Sequence, residues 1–210
     1  AHFVDQGSAY SYLQGLSGAP RDFALFLLPM VYLHPFLAKD MLRHLFACQH
    51  HRTGKLPYAN VGHGQQRGYL LHSFSSDLDL FLLWAAGEYL AATRDFAFLD
   101  EELLYYPKHR KKYGTVLDHL RAAFAHLTRR VGLGPHGLLR CGSGDWNDVI
   151  LGYSRCAPLT FLRGESSLNA GLAAFALPRL ARTLAEHAPD FAAALHAFAD
   201  AQATGTTPSL

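Results

Sequence analysis

The sequence predicts an all-α protein, built as an α/α barrel or as part of one. No segment of the 210 residues shows sustained alternation of apolar and polar residues between hairpin turns, so little β structure is expected. Helices that are apolar on nearly every side alternate with helices that carry a single apolar stripe, and their connections are alternately short and long. Two concentric layers of helices satisfy this pattern. A solenoid of stacked helix pairs is the alternative, although no repeat of fixed length is present.

The first two predicted helices follow a loop-like segment, residues 1–21. Asp22 is predicted to cap the apolar run Phe23–Leu33, and the pair His34-Pro35 ends that run. The second helix is predicted from about Pro35 to Gln49, because apolar residues recur there at steps of three and four. One face of this helix is therefore expected to be buried.

A long polar and glycine-rich connection, residues 51–75, comes next, and its length makes it a candidate site loop. Ser76 and Asp77 then open a helix that is predicted to reach Thr93. This helix is apolar nearly all round, so other helices should cover it on both sides. Asp95 is predicted to cap a shorter helical segment running to about Tyr105.

The second half of the chain continues the alternation. Thr115–Val131 carries one apolar stripe and is predicted to be an outer helix with a solvated face. A mostly apolar helix is predicted from about Ser166 to His187, with a kink or a break at Pro178. An alanine-rich helix from about Asp190 to Gln202 completes the predicted set.

Composition narrows the function classes. The net charge is +2 with histidine neutral, so no attraction to nucleic acid is expected, and no apolar run is long enough to span a membrane. The basic run Lys108–Lys112 is interpreted as a solvated loop. Cys48, Cys141 and Cys156 are interpreted as reduced thiols of a cytoplasmic protein. The thirteen histidines form no known ligand pattern, so neither a metal nor an organic cofactor is expected.

The stretch Gly142–Asp148 combines two carboxylates, an indole and an amide within a few residues. Trp146 offers a flat apolar face to a sugar, Asn147 offers a donor and an acceptor, and a carboxyl group with a raised pKa can protonate a glycosidic oxygen. The same residues also suit a short helix, with Asp145 as its N-cap, Trp146 packed inward and Asp148 in its first turn. The pattern alone leaves both interpretations open.

Several segments, in order, resemble the catalytic domain of the cellobiose and chitobiose phosphorylases of glycoside hydrolase family 94. The most specific is the sequence Gly-Asp-Trp-Asn-Asp at 144–148, which follows Gly-Pro-His-Gly-Leu at 134–138. The remaining segments are weak one by one and gain weight from their order: Gly18–Asp22, Ser76-Asp77, Gly87–Asp95, Phe98–Glu101 and Gly164–Ser166. The resemblance covers most of residues 10–185.

This resemblance implies an (α/α)6 six-hairpin barrel that acts on glycosidic bonds with inversion. Residues 1–210 would be a segment of that single catalytic domain, about half of a barrel. The resemblance implies that Asp148 is the general acid and that Trp146 contacts the sugar beside the scissile bond. It also implies that Arg21 and Asp22 bind the sugar whose anomeric carbon reacts.

Three further residues complete the expected substrate-binding set. Asn147 lies between the indole and the acid. Asp145 is interpreted as a structural cap and a neighbour that raises the pKa of Asp148, in preference to a second catalytic group. Glu165 heads a predicted helix, and a cap and a wall of the site are equally suitable roles for it.

The expected reaction is phosphorolysis of a β-linked glucosyl or N-acetylglucosaminyl oligosaccharide, or the reverse synthesis, with inorganic phosphate as co-substrate. An inverting glycoside hydrolase that uses water is the alternative, and a non-catalytic carbohydrate-binding or truncated homologue is the second alternative. The groups that hold phosphate, or the base of a hydrolase, are expected beyond Leu210. An oligosaccharide is the expected partner, and a second copy or the rest of the parent chain would cover the apolar faces of a half barrel.

Overall fold

The structure is a computed structural model that describes residues 20–61, 65–67, 74–147 and 155–206. Seven α-helices lie in these segments: α1 (Pro20–Leu33), α2 (Pro35–Ala47), α3 (Leu78–Thr93), α4 (Val116–His126), α5 (Ala157–Arg163), α6 (Ser167–Leu184) and α7 (Pro189–Thr206). Short 3₁₀ turns span Phe96–Asp100 and Lys108–Arg110, and a π-helical turn, Leu127–Val131, extends α4. The all-α prediction is confirmed.

The long helices form three hairpins, α1–α2, α3–α4 and α6–α7, within the described segments. Helices α1, α3 and α6 lie side by side, with α3 in the middle, and α3 also contacts α2 and α4. Because α3 is covered from all these directions, eleven of its sixteen residues are buried. Three helical hairpins in the described segments are consistent with the predicted partial six-hairpin barrel.

Close packing between α3 and α6 depends on a glycine. A Cβ atom on Gly87 would lie 3.2 Å from the Cβ of Leu180, so the two helix backbones approach closely at this point. Helix α4 has the predicted single stripe, with Leu120 and Leu127 buried while Arg121 is exposed. Its first turn is closed by a capping box between Thr115 and Asp118.

Strands are short in the part of the chain that the structure describes. β1 (Ala59–Val61) pairs antiparallel with β2 (Gln65–Arg67), and β3 (Glu102–Leu104) pairs antiparallel with β4 (Tyr113–Thr115). Backbone hydrogen bonds of Tyr106 with Gln49 and His51 attach the second pair to the segment that follows α2.

Three local predictions differ from the structure. Asp22 is not the cap of α1, because the helix begins at Pro20 and Asp22 lies in its first turn. Asp95 makes no side-chain capping bond, because its carboxylate accepts hydrogen bonds from Lys39 and Tyr89, and a 3₁₀ turn and a strand replace the predicted helix. Helix α6 continues through Pro178, so the predicted break is absent, while the predicted kink stays a prediction. None of the helices in the described segments is long and apolar enough to cross a membrane.

Candidate active site

Residues 142–147, called the Trp146 loop below, are attached to the N-terminus of α3. Ser75 forms β-bridges with Gly142 and Gly144. The backbone N–H and the hydroxyl of Ser76 both donate to the carbonyl oxygen of Gly144, at 3.0 and 3.1 Å. These residues are 68 positions apart in the sequence, so long-range contacts define the path of the loop.

The start of the Trp146 loop requires a glycine. Gly142 has a φ of +61°, and a Cβ atom at this position would lie 2.3 Å from the carbonyl oxygen of Phe74. Phe74 and Ser143 also exchange two hydrogen bonds, each of 3.1 Å. The backbone at Gly142 therefore lies too close to Phe74 for any larger residue.

Asp145 holds the loop through both oxygens of its carboxylate. Oδ1 accepts the backbone N–H of Asn147 at 2.8 Å, and Oδ2 accepts the hydroxyl of Ser166 at 2.5 Å. The first bond closes a tight turn in which Asp145 is buried and Trp146 is 52% exposed. Residues 145–147 are not helical and the indole does not pack inward, so the short-helix interpretation is wrong for these residues.

Arg21 reaches the same loop from the first turn of α1. Its Nε lies 2.8 Å from Oδ2 of Asp77, and its Nη2 donates to Oδ1 of Asp77 at 3.3 Å and to the carbonyl oxygen of Asp145 at 3.1 Å. Ser75 donates a further bond of 2.9 Å to Asp77. Burial raises the pKa of Asp77 to about 6, although the Arg21 charge opposes this shift.

Trp146 and Asn147 are the exposed residues of the loop. The guanidinium carbon of Arg21 lies 5.7 Å from the centre of the Trp146 ring, and the ring of Phe81 lies 6.0 Å from it. A cation and an aromatic neighbour thus support an indole whose remaining surface is open to solvent. Such a surface suits the apolar face of a sugar ring.

A model of a known protein family matches most of this chain. The model of the glycosyl hydrolase 94 superfamily catalytic domain matches residues 21–202. The chain belongs to this superfamily. No curated protein sequence matches it. Membership places the protein among carbohydrate-active enzymes of the glycoside hydrolase and phosphorylase type.

The superfamily match covers all of the predicted site residues. The structure brings four of them together, and the others lie elsewhere or outside the described residues. Arg21, Asp145, Trp146 and Asn147 meet at the N-terminus of α3. Asp148, the predicted general acid, lies outside the described residues. Asp22 follows Arg21 in the first turn of α1, and its side chain is partly buried.

Glu165 does not cap α6. Its Oε1 accepts the backbone N–H groups of His136 and Leu138, at 2.8 and 3.0 Å, and its Oε2 lies 2.6 Å from Nδ1 of His136. Ser166 is the N-cap of α6 instead. The Glu165 carboxylate therefore fixes the Gly134–Leu138 turn.

Sequence reasoning missed three residues that organise the site, namely Asp77, Ser166 and Asn169. All three are buried and polar, and they precede a helix or lie in its first turn. A serine at the start of a predicted helix is typical of an N-cap, but nothing in the sequence indicates that this cap also contacts Asp145.

Other candidate chemistry in the described segments is limited. No group of three or more histidine, cysteine or acidic side chains there is arranged to hold a metal ion. Burial raises the pKa of the Cys141 thiol to about 11, so it stays protonated beside the Trp146 loop.

A cavity of about 810 Å³ lies at the opposite ends of α1 and α3, lined by residues such as Tyr32, Phe36 and Tyr89, and is remote from Trp146.

Proposed function

We propose that the protein cleaves or forms glycosidic bonds with inversion, by phosphorolysis of β-linked glucosyl or N-acetylglucosaminyl oligosaccharides. The observation that carries this proposal is the buried anchoring of the Trp146 loop, which presents a half-exposed indole two residues before Asp148. Membership of the glycosyl hydrolase 94 superfamily supports a reaction at a glycosidic bond.

Asp148 is proposed as the general acid of a single displacement. Its carboxyl proton moves to the glycosidic oxygen while an oxygen of phosphate attacks the anomeric carbon from the opposite face. The bond between that carbon and the leaving oxygen breaks, and a sugar 1-phosphate of inverted configuration forms. Phosphate is already an anionic nucleophile, so one protein acid suffices and no carboxylate base is needed.

Trp146 is proposed to stack on the sugar beside the scissile bond, and Asn147 to hydrogen-bond its hydroxyl groups. The amide of Asn147 is exposed, while its backbone N–H is fixed by Asp145. Because the backbone is already fixed, only the side chain of Asn147 has to be ordered when its donor and acceptor bind a sugar. The binding of the reacting sugar by Arg21 is proposed to be indirect, through the loop that its guanidinium holds.

The test is a panel of β-linked glucose and N-acetylglucosamine disaccharides, incubated with and without phosphate. The protein is expressed from its full reading frame, beside an Asp148→Asn variant and a Glu186→Gln control on the exposed turn after α6. Sugar 1-phosphate that requires phosphate, and that disappears only in Asp148→Asn, is the expected result. Free sugars formed without phosphate would instead assign a hydrolase, and undiminished product in Asp148→Asn would refute its role as the acid.

A further inference from the structure

The hydroxyl group of Ser166 serves two structural elements at once. It accepts the backbone N–H of Asn169 at 3.0 Å, which caps α6, and it donates to Oδ2 of Asp145 at 2.5 Å. The side chain is buried, with 3% of its surface exposed. A helix cap needs only an acceptor oxygen, so the donated hydrogen bond goes beyond capping.

The two bonds of Ser166 belong to a closed ring. Asn169 donates from Nδ2 to the hydroxyl of Ser76 at 2.9 Å, and Ser76 donates to the carbonyl oxygen of Gly144 at 3.1 Å. Gly144 precedes Asp145, and the carboxylate of Asp145 accepts the hydrogen bond from Ser166, which closes the ring. The ring therefore joins the N-termini of α3 and α6 to the Trp146 loop, and water is largely excluded from it because Ser76 and Asn169 are buried.

We propose that Ser166 is a positioning residue, which transmits the position of the α6 N-terminus to Asp145 and through it to Trp146 and Asn147. The bond from Ser166 fixes the Asp145 carboxylate, and the other oxygen of that carboxylate fixes the backbone of Asn147. Asp148 follows Asn147 in the sequence, so the residues that this bond fixes are those that lead to the proposed acid. The consequence for catalysis rests on the proposed function, whereas the consequence for the conformation of the loop does not.

Two variants of equal size separate the donated bond from the cap. Asparagine and aspartate are both strong N-caps, so Ser166→Asn and Ser166→Asp keep an acceptor for the N–H of Asn169. Only asparagine carries a donor for the carboxylate of Asp145, and aspartate places a second negative charge against it. Differences between these two variants therefore report the bond to Asp145.

The readout is the fluorescence of Trp146 in a Trp84→Phe background, where it is the remaining indole of a chain with two tryptophans. Ser166→Asp is expected to shift the Trp146 emission to longer wavelength and to increase its quenching by acrylamide. The emission and the quenching of Ser166→Asn are expected to stay close to those of the parent. With a disaccharide that reacts, Ser166→Asp is expected to lower kcat by roughly 10- to 100-fold, since misplaced reacting groups cost rate more than affinity.

A smaller variant and a matched control complete the test. Ser166→Ala and Thr115→Ala each remove a serine- or threonine-type cap, but Thr115 caps α4 through Asp118 and does not contact the Trp146 loop. Both are expected to lower the melting temperature, and only Ser166→Ala is expected to change the Trp146 signal. Identical Trp146 signals in the aspartate and asparagine variants, or in the two alanine variants, would overturn the proposal. If the parent protein proves inactive, the proposed function fails while the fluorescence comparison still decides the role of Ser166.

Discussion

Arg21 and Asp77 form an ion pair in the protein interior, with 2.8 Å between Nε and Oδ2 and side-chain exposures of 8% and 0%. The pair joins the first turn of α1 to the N-cap position of α3. Because Arg21 also donates to the carbonyl oxygen of Asp145, the pair supports the backbone of the same residue whose carboxylate Ser166 binds.

Removing Arg21 should destabilise the protein strongly. Arg21→Met leaves the carboxylate of Asp77 buried without its partner, which is expected to lower the free energy of unfolding by about 3–5 kcal/mol. Arg121→Met removes an exposed pair with Asp190 and should cost less than about 1 kcal/mol. Urea unfolding measures both values, and similar losses in the two variants would contradict the structural role of the buried pair.

Gly142→Ala should be more harmful than Gly137→Ala. Both glycines have a positive φ, +61° and +82°, so each substitution carries a conformational cost of about 1 kcal/mol. A Cβ atom on Gly137 meets nothing within 4 Å, whereas on Gly142 it meets the carbonyl oxygen of Phe74 at 2.3 Å. Gly142→Ala is therefore expected to lose a further 1–3 kcal/mol or so, measured by chemical denaturation. Equal losses would show that the loop can move away from Phe74.

The stability of the protein should depend on pH through two buried groups of opposite effect. Burial raises the pKa of Asp77 to about 6, so its contribution to stability is present at low pH and is lost as the pH rises through about 4 to 6. Burial lowers the pKa of His119 to about 4, so its contribution is present above about 6.5 and is lost as the pH falls toward 4. The two contributions oppose each other over nearly the same range.

Variants should separate these contributions. As the pH rises from 4 to 6.5, the difference in unfolding free energy between Asp77→Asn and the parent protein should shift in favour of the variant, because the parent loses the Asp77 contribution over this range. The same difference for His119→Gln should shift in favour of the parent, because the parent gains the His119 contribution. Each change is expected to be about 2–3 kcal/mol, from about 1.4 kcal/mol per pKa unit. Unfolding free energies of the parent and of both variants, measured at pH 4 and at pH 6.5, test this prediction. A stability difference from the parent that changes in the same direction for both variants would refute it.

Trp146 should contribute to saccharide binding and little to stability. Its indole is half exposed, so Trp146→Ala should change the melting temperature only slightly. It should weaken binding of the reacting disaccharide about tenfold, which corresponds to about 1.4 kcal/mol, and Trp146→Phe should recover part of the loss. Tyr113→Ala removes another exposed ring, on β4, and should leave KM unchanged. An unchanged KM in Trp146→Ala would contradict the stacking role.

The sequence predicts the helices well because their signals are local. The apolar surface of Leu78–Thr93 predicted a helix covered on several sides, and the stripe of Thr115–Val131 predicted an outer helix; both are observed. Long-range partners explain the differences. Asp95 follows a helix-cap pattern, but Lys39 lies 56 residues away in sequence and binds its carboxylate at 2.7 Å.

The candidate site was predictable only in part, for the same reason. The motif at 144–148 located the loop, whereas its supports come from residues whose sequence patterns indicate only helix starts. Glu165 illustrates the limit, since its position before a helix predicted either a cap or a wall of the site. The cap is wrong, because three donors from His136 and Leu138 bind the carboxylate instead. Exposure at Trp146 also depends on the turn that Asp145 closes, which a helical pattern does not anticipate.

The ring that holds the Trp146 loop also limits when the site can form as the protein folds. Its contacts join residues 68, 93 and 21 positions apart, and Arg21 reaches Asp145 across 124 positions. Contacts of such separation form late, after the entropy of closing long segments has been overcome. On a growing chain the ring therefore cannot close before the start of α6 has been synthesised, because Ser166 and Asn169 both belong to it.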